Sequence, residues 1–365
     1  MAYNPIFMKQ AIRIAETSRG ICSPNPFVGA VIVKDGTVIG EGSTRAYGSD
    51  HAEIIALRQA GSAATDAELY VTLEPCAHFG KTPPCANAIV AAGIRAVYIG
   101  IQDPNPLVDG KGIRILSEHG IHVEIGFFAD RITQQLEYYL CRITRQRPFV
   151  IWKTALSLDG KFCAEDGSSR WISNAAARAH VHHLRQESDV VLTGINTVIS
   201  DDPQLNVRLK QPLKQPARAI LDPDLDIPLQ SRIVDSLSAQ RTYLFISAAC
   251  LKTEKEVALR TAGVIIHRVP ATGDKLDLHA VLQVLHENKH YMVMLECGTL
   301  LSESFWAAKL IDKCMIYYGN KLVSGSNSML RSPIFPTIDH ALELQHIRIK
   351  RLRGNILLTA YPIYE

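Results

Sequence analysis

One histidine, one glutamate and two cysteines stand at spacings that could build a catalytic metal site. They occur in His51-Ala52-Glu53, Glu74-Pro75-Cys76 and Pro83-Pro84-Cys85. Water is a poor nucleophile at neutral pH, and a zinc ion lowers its pKa from about 15.7 to about 7. A catalytic zinc takes three protein ligands and keeps a fourth position open. His51, Cys76 and Cys85 supply that count. Glu53, two residues from His51, can carry a proton from the bound water to a ring nitrogen and then to a leaving amine. This is the chemistry that hydrolytic removal of an amino group from a ring carbon requires. The alternative is a closed structural site with His78 as fourth ligand, in which Glu53 has no task.

These residues need elements to hold them. Residues 4–19 read as an amphipathic helix with Ile6, Phe7, Ala11, Ile14 and Ala15 on one face. GAVIVKDGTVIGEG reads as a hairpin turning at Asp35-Gly36. HAEIIALRQAG reads as a helix that starts at His51 and stops at Gly61. ELYVTLEPC is a buried strand running into a loop, and a helix is expected to open near Cys85 behind two prolines. A helix start favours the thiolate form of cysteine, the form that binds metal. AVYIGI, a helix near 111–119 and a strand near 121–125 complete a sheet with helices on its faces.

The chain has 365 residues, 47% apolar and 21% charged, which is ordinary for a globular protein and long enough for two cores. Lys plus Arg is 39 and Asp plus Glu is 36, giving +3. That balance speaks against a nucleic-acid coat or a polybasic membrane protein. No run of about 18 uncharged apolar residues is present, so no membrane span is expected. The first twenty residues lack the apolar centre of a signal peptide. Eight cysteines spread over this length do not look like a disulfide scaffold, and the expected compartment is a reducing cytoplasm. The basic segment CRITRQRPF, 141–149, marks the domain boundary. Beyond it, strands are expected at FVIWKTALS, DVVLTG, ARAILD, TYLFIS, GVIIHRV, YMVMLEC and KCMIYYG, with helices at 174–186, 276–288 and 301–310. Both halves read as α/β.

Zinc-dependent nucleobase deaminases carry H-x-E followed by P-C-x-x-C. Here the second part is P-C-x8-C, with AHFGKTPP between the cysteines. The ordered set SPNPFVGAVIVKDG, HAE, TLEPCAHFGKTPPC and IQDPNP resembles the bifunctional deaminase/reductase family of bacterial riboflavin biosynthesis, RibD. The longer cysteine spacing is that family's own version of the zinc loop. The resemblance implies a cytidine-deaminase-like three-layer domain over 1–145 and a dihydrofolate-reductase-like α/β domain over 146–365. It implies zinc on His51, Cys76 and Cys85, Glu53 as the proton shuttle, and Asn25 in the PNP turn against the substrate ring.

The second half has no GxGxxG fingerprint. Its chemistry-bearing pieces are KTALSLDG (153–160), DGSSRWIS (166–173), LTGINTVISDDPQLNVR (192–208) and LECGTLL (295–301). These are strand ends followed by polar or small-residue turns, where ligands of open α/β sheets usually sit. Gly194 and Gly298 allow close backbone approach, Arg170, Arg185 and Arg208 could pair with phosphates, and Trp171 offers a flat apolar wall. The same motifs, in this order, resemble the reductase half of the family, and the implied cofactor is NADPH. Its implied contacts are Ala155, Trp171, Thr197, Asp201 and Gly298. Implied sugar and phosphate contacts are Lys153, Ser169, Arg185, Leu205, Arg208 and Glu296. Two positions differ from the family's pattern: Thr299 in the glycine turn, and Pro223 after the strand near 222.

The reactions so implied are zinc-hydroxide deamination of 2,5-diamino-6-ribosylamino-4(3H)-pyrimidinone 5′-phosphate and NADPH reduction of the product's ribosyl group to ribityl. The implied partners are a phosphorylated pyrimidine and further copies of the chain, with no nucleic acid and no membrane. Two rival readings are a deaminase acting on bases in RNA or DNA, and a scaffold with structural zinc and an inactive reductase fold. His286-Glu-Asn-Lys-His290 matches H-E-x-x-H, but a strand starting directly after His290 breaks the helix that motif needs. His180, His182 and His183 are expected on a solvated helix face. Most remaining cysteines are expected in cores.

Overall fold

The computed structural model describes residues 3–79 and 83–364. Residues 80–82, inside the AHFGKTPP loop, lie outside the described residues. The chain divides into two compact units, Met1–Arg147 and Pro148–Glu365.

The first unit is a five-stranded sheet in the order β2-β1-β3-β4-β5. The strands are β1 (Gly29–Lys34), β2 (Thr37–Ser43), β3 (Glu68–Leu73), β4 (Ala96–Ile101) and β5 (His122–Ile125). β1 runs antiparallel to β2 and β3, whereas β3, β4 and β5 are parallel. The helices are α1 (Pro5–Ala15), α2 (Ala52–Ala60), α3 (Cys85–Ala91), α4 (Lys111–Glu118), α5 (Ala129–Gln135) and α6 (Glu137–Arg145). The β1–β2 turn falls at Asp35-Gly36, both at positive φ, as the DG signal demands. The two faces of the hairpin carry different helices. A Cβ on Gly29 would lie 2.0 Å from the Ala11 carbonyl of α1, and one on Gly42 would lie 2.0 Å from the Ala52 carbonyl of α2. Glycine at position 42 thus lets α2 settle onto the sheet, which fixes the start of the helix that carries His51 and Glu53.

The expected face of α1 is rotated. Met8, Ala11, Ile12 and Ala15 are buried, whereas Ile6 is 63% exposed. The 141–149 segment is not a plain linker, because α6 runs through Arg145 and ends at Gln146 in a left-handed cap.

The second unit is a nine-stranded sheet. Its strands are β6 (Phe149–Leu156), β7 (Val190–Gly194), β8 (Ala217–Leu221), β9 (Thr242–Ser247), β10 (Ile265–Val269), β13 (Met292–Leu295), β14 (Lys313–Tyr318), β15 (Leu344–Leu352) and β16 (Asn355–Pro362). A ribbon, β11 (Ala271–Thr272) with β12 (Lys275–Leu276), stands apart from them. The order is β10-β9-β8-β7-β13-β6-β14-β16-β15. The seven strands from β10 to β14 are parallel, and β16 and β15 add antiparallel. The helices are α7 (Ala175–Glu187), α8 (Ile195–Asp201), α9 (Arg232–Asp235), α10 (Thr253–Ala262), α11 (Leu278–Glu287) and α12 (Thr299–Ala307).

Burial on both faces explains the near-continuous apolar strands. Leu192, Ala219, Phe245 and Val293 point into one core, and their chain neighbours Val191, Ile220 and Leu244 into the other. Strand β13 comes later in the chain than β6 and β7 yet inserts between them. Ligands of open parallel sheets collect at the carboxyl ends of strands where the order reverses in this way.

Candidate active sites

In the first unit, His51 caps α2, Glu53 lies in that helix's first turn, Cys76 follows β3 and Cys85 opens α3. Three donor atoms converge. The Nδ1 of His51 lies 3.5 Å from Cys76 Sγ and 3.3 Å from Cys85 Sγ, and all three atoms lie within 4.8 Å of one another. A tetrahedral zinc holds a nitrogen at about 2.0 Å and a sulfur at about 2.3 Å, which separates the two by about 3.5 Å. The donor set fits zinc. Among the described residues His78 does not belong to this group, so the fourth-ligand alternative gains no support.

The electrostatics make the same case. The Cys85 thiol and backbone N–H, together with His51, pull the Cys76 thiol down to about 4. The Cys85 thiol is pushed up, because a neighbouring thiolate, burial and Glu53 all oppose a second negative charge. A divalent cation removes that conflict. Glu53 is 4% exposed, its carboxyl interacts with Cys85, and burial lifts it to about 7. A carboxyl held there can both take and give a proton near neutral pH. Asn25 lies half-buried in the turn before β1, its carbonyl accepting from Tyr138 Oη at 2.7 Å.

In the second unit, Lys153 on β6, Arg185 on α7 and Glu296 after β13 form a charge cluster. Both Glu296 oxygens accept from Arg185, Oε1 from Nε at 2.9 Å and Oε2 from Nη2 at 2.8 Å, and Nη1 donates to the Asn206 carbonyl at 3.0 Å. Burial alone would raise the Glu296 carboxyl. The Arg185 and Lys153 charges overcome it and hold the group at about 2. Burial pushes the Lys153 ammonium down, and Glu296 opposes that shift. His182 is half-buried rather than solvated. Burial and the charges of Arg185 and Arg208 keep it down at about 4, and its Nδ1 accepts from the Arg208 backbone N–H at 3.4 Å. His180 is also half-buried, bonded to the Tyr317 hydroxyl at 2.9 Å, and only His183 is exposed. Leu205 is buried at positive φ, and Arg208 is exposed with Nη1 on Asn206 Oδ1 at 2.7 Å.

A cleft of about 350 Å³ opens at the carboxyl ends of β7 and β8 and the start of α12. Gly194, Thr197 and Gly298 line it; Ala155, Trp171, Asp201 and Ser169 do not. Ala155 is half-buried on β6. Trp171 is 57% exposed beneath Arg178, 4.3 Å from its ring centroid. Ser169 and Asp201 lie on exposed segments, linked through Arg170, whose Nη2 meets the Asp201 carbonyl at 3.4 Å. The H-E-x-x-H match is broken as expected: α11 ends at Glu287, and His290 turns to the Tyr243 hydroxyl at 3.0 Å.

Residues 148–358 match the family described as the RibD C-terminal domain, and residues 2–101 match the cytidine and deoxycytidylate deaminase zinc-binding region. The chain is 38% identical to the riboflavin biosynthesis protein RibD of Bacillus amyloliquefaciens, over 98% of this chain and 95% of that protein. The chain belongs to the RibD family. The RibD of Aquifex aeolicus is 36% identical over 96% of each chain. A solved structure of Acinetobacter baumannii RibD superposes with a TM-score of 0.88 at 38% identity, covering 99% of both chains. A Thermotoga maritima structure, that of a diaminohydroxyphosphoribosylaminopyrimidine deaminase/5-amino-6-(5-phosphoribosylamino)uracil reductase, superposes at 0.84 with 31% identity over 98% of both. The chain is therefore a bifunctional deaminase and reductase of riboflavin biosynthesis, zinc-dependent in one half and NADPH-dependent in the other. No helix among the described residues is long and apolar enough to cross a membrane.

One supporting residue of this RibD site is visible only in the fold. Glu74 is 3% exposed and accepts from four backbone N–H groups, those of Asp103, Gly110, Gly112 and Ile113, at 3.0–3.2 Å. It ties the loop that carries Cys76 to the segment after β4 and to the first turn of α4. Gly112 lies so close that a Cβ there would sit 2.0 Å from the Pro75 carbonyl. The available signal in the sequence is a carboxylate in an otherwise apolar run, which must find donors when buried.

Proposed function

We propose that the first half, 1–145, deaminates 2,5-diamino-6-ribosylamino-4(3H)-pyrimidinone 5′-phosphate, and that the second half, 146–365, reduces 5-amino-6-(5-phosphoribosylamino)uracil to its ribityl form. The observation that carries the reading is the convergence of one imidazole nitrogen and two sulfurs beside a buried glutamate. The division after Arg147 and the two activities named for the Thermotoga relative support the assignment of halves and substrates.

In this reading His51, Cys76 and Cys85 hold the zinc. Zinc bound there supplies a water whose pKa is lowered toward about 7. Glu53 takes one proton of that water onto its carboxylate and passes it to the ring nitrogen; it then takes the proton of the hydroxyl now on the ring carbon and passes it to the amine, which departs as ammonia. Burial, which keeps that carboxyl near 7, suits it to both transfers. Asn25 orients the ring.

In the second half NADPH supplies a hydride to C1 of the sugar in its opened or imine form. Thr197, Gly298, Ala155, Trp171 and Asp201 hold the cofactor. Lys153 hydrogen-bonds the sugar; Ser169, Leu205 and Arg208 take its hydroxyls and phosphate. Arg185 and Glu296 act as a pair, each satisfied by the other until substrate arrives. The working form is a homo-oligomer in the cytoplasm, a compartment that suits eight cysteines spread over 365 residues.

Two assays on the full chain test this. With the diaminopyrimidine phosphate, Glu53→Gln abolishes ammonia release while zinc content stays near one per chain. NADPH oxidation requires prior deamination in the wild type and is restored to the variant by deaminated substrate. Unchanged ammonia release from Glu53→Gln removes that residue from the mechanism. No NADPH oxidation at saturating deaminated substrate removes the reductase assignment.

A further inference from the structure

The cleft of the second unit holds a feature that the family pattern does not assign. Its lining runs from Gly298, two residues past Glu296, across the carboxyl end of β7 at Gly194 to Leu221 and Pro223 at the end of β8. It ends at the β11–β12 ribbon, where Asp274 and Lys275 reach it. In the sheet order, β6 carries Lys153 and β13 leads into Glu296, both placed at the sugar, and β8 lies beyond β7 on the far side. A dinucleotide with its hydride-donating ring near Lys153 therefore places its adenosine end toward β8 and the ribbon.

NADPH differs from NADH by a phosphate monoester on the adenosine ribose, and a cation is needed to prefer it. The turn after β8 cannot provide one. It reads Asp222-Pro223-Asp224-Leu225-Asp226. Asp222 is buried, with both oxygens accepting from the backbone N–H groups of Asp226 and Ile227 at 2.8 Å, and Asp226 pairs with Lys252. Among the described residues that line the cleft, Lys275 is the single cation. The ribbon fixes its place: Thr272 pairs with Lys275 and Ala271 with Leu276, and the buried Leu276 anchors the strand in the core. Lys275 itself is exposed.

We infer that Lys275, at the mouth of the cleft beyond β8, binds the 2′-phosphate of NADPH and sets the preference for NADPH over NADH. The inference rests on the reading of this cleft as the cofactor site. A lysine ammonium against a phosphate dianion makes a charge-assisted contact that NADH cannot make. Among the described lining residues the single carboxylate, Asp274, precedes it in the turn, so the preference depends on the lysine's charge outweighing that neighbour.

The test is equilibrium binding to the full chain, followed by calorimetry, of NADP⁺, NAD⁺ and adenosine 2′,5′-bisphosphate. Lys275→Gln is expected to weaken NADP⁺ and the bisphosphate about tenfold and NAD⁺ less than about twofold, while Lys275→Arg keeps NADP⁺ within about threefold of the wild type. Equal losses for NADP⁺ and NAD⁺, or no loss for NADP⁺, overturn the assignment of Lys275. Thr197→Trp separates the two levels, because an indole there fills the cleft. Weakened binding of both dinucleotides by this variant upholds the cleft reading on which Lys275 depends. Unchanged binding of both removes the dinucleotide from the cleft, and Lys275's role with it.

Discussion

Replacing Glu296 by glutamine removes a charge and keeps the shape, and the structure gives the size of the effect. Glu296 and Arg185 side chains are 13% and 11% exposed and share two hydrogen bonds. The carboxyl falls from its ordinary 4.5 to about 2 in the folded chain. A depressed carboxyl contributes stability above its unfolded pKa and loses it as pH falls through the folded one. Here the drop from 4.5 to about 2 is worth about 3 kcal/mol above pH 5 and about 1 kcal/mol near pH 3. Judged from the other partner, the same interaction has the same size: Glu296→Gln leaves the buried Arg185 guanidinium without its counter-charge, about 3 kcal/mol. Urea unfolding of wild type and variant between pH 3 and pH 7 measures it. The expected gap is about 3 kcal/mol at pH 7, narrowing steadily below about pH 4.5. A variant as stable as the wild type at pH 7, or a gap that ignores pH, refutes the charge-pair argument.

Other perturbations have equally defined outcomes. Glu74→Ala strands four backbone N–H groups and lowers stability by about 3–5 kcal/mol, read as a shift of the urea midpoint; a loss under about 1 kcal/mol shows that they find other partners. Gly112→Ala drives a methyl into the Pro75 carbonyl and shifts the Cys76 loop. Zinc affinity, measured by competition with a chromophoric chelator, should fall about tenfold or more; unchanged affinity means that the loop yields without moving the ligand.

Much of the site is legible in the sequence because its spacing is dictated by chemistry. His51 and Glu53 share a helix start, and Cys85 follows two prolines that favour a helix start, so local rules place three of the four residues. The Asp35-Gly36 turn and the apolar strands of the second half are legible for the same reason. What needs the fold is long-range. The α1 stripe is off by one position because Met8 and Ile12, rather than Ile6, meet the sheet. The β15–β16 hairpin carries a weak local signal, Ile347-Arg348-Ile349-Lys350 before the Arg353-Gly354 turn, but its isoleucines are exposed, so no core dictates the strand. The Arg185–Glu296 pair joins residues 111 apart in sequence, and no local pattern announces it. Lys275 reads as an ordinary turn residue until the cleft brings it near β8.

The deaminase chemistry depends most on the metal's coordination. Zinc K-edge absorption on the purified chain reads it directly. Two sulfurs at about 2.3 Å, one imidazole nitrogen at about 2.0 Å and one light oxygen at a similar distance are expected. A second imidazole, a third sulfur or a chain that binds no zinc contradicts it.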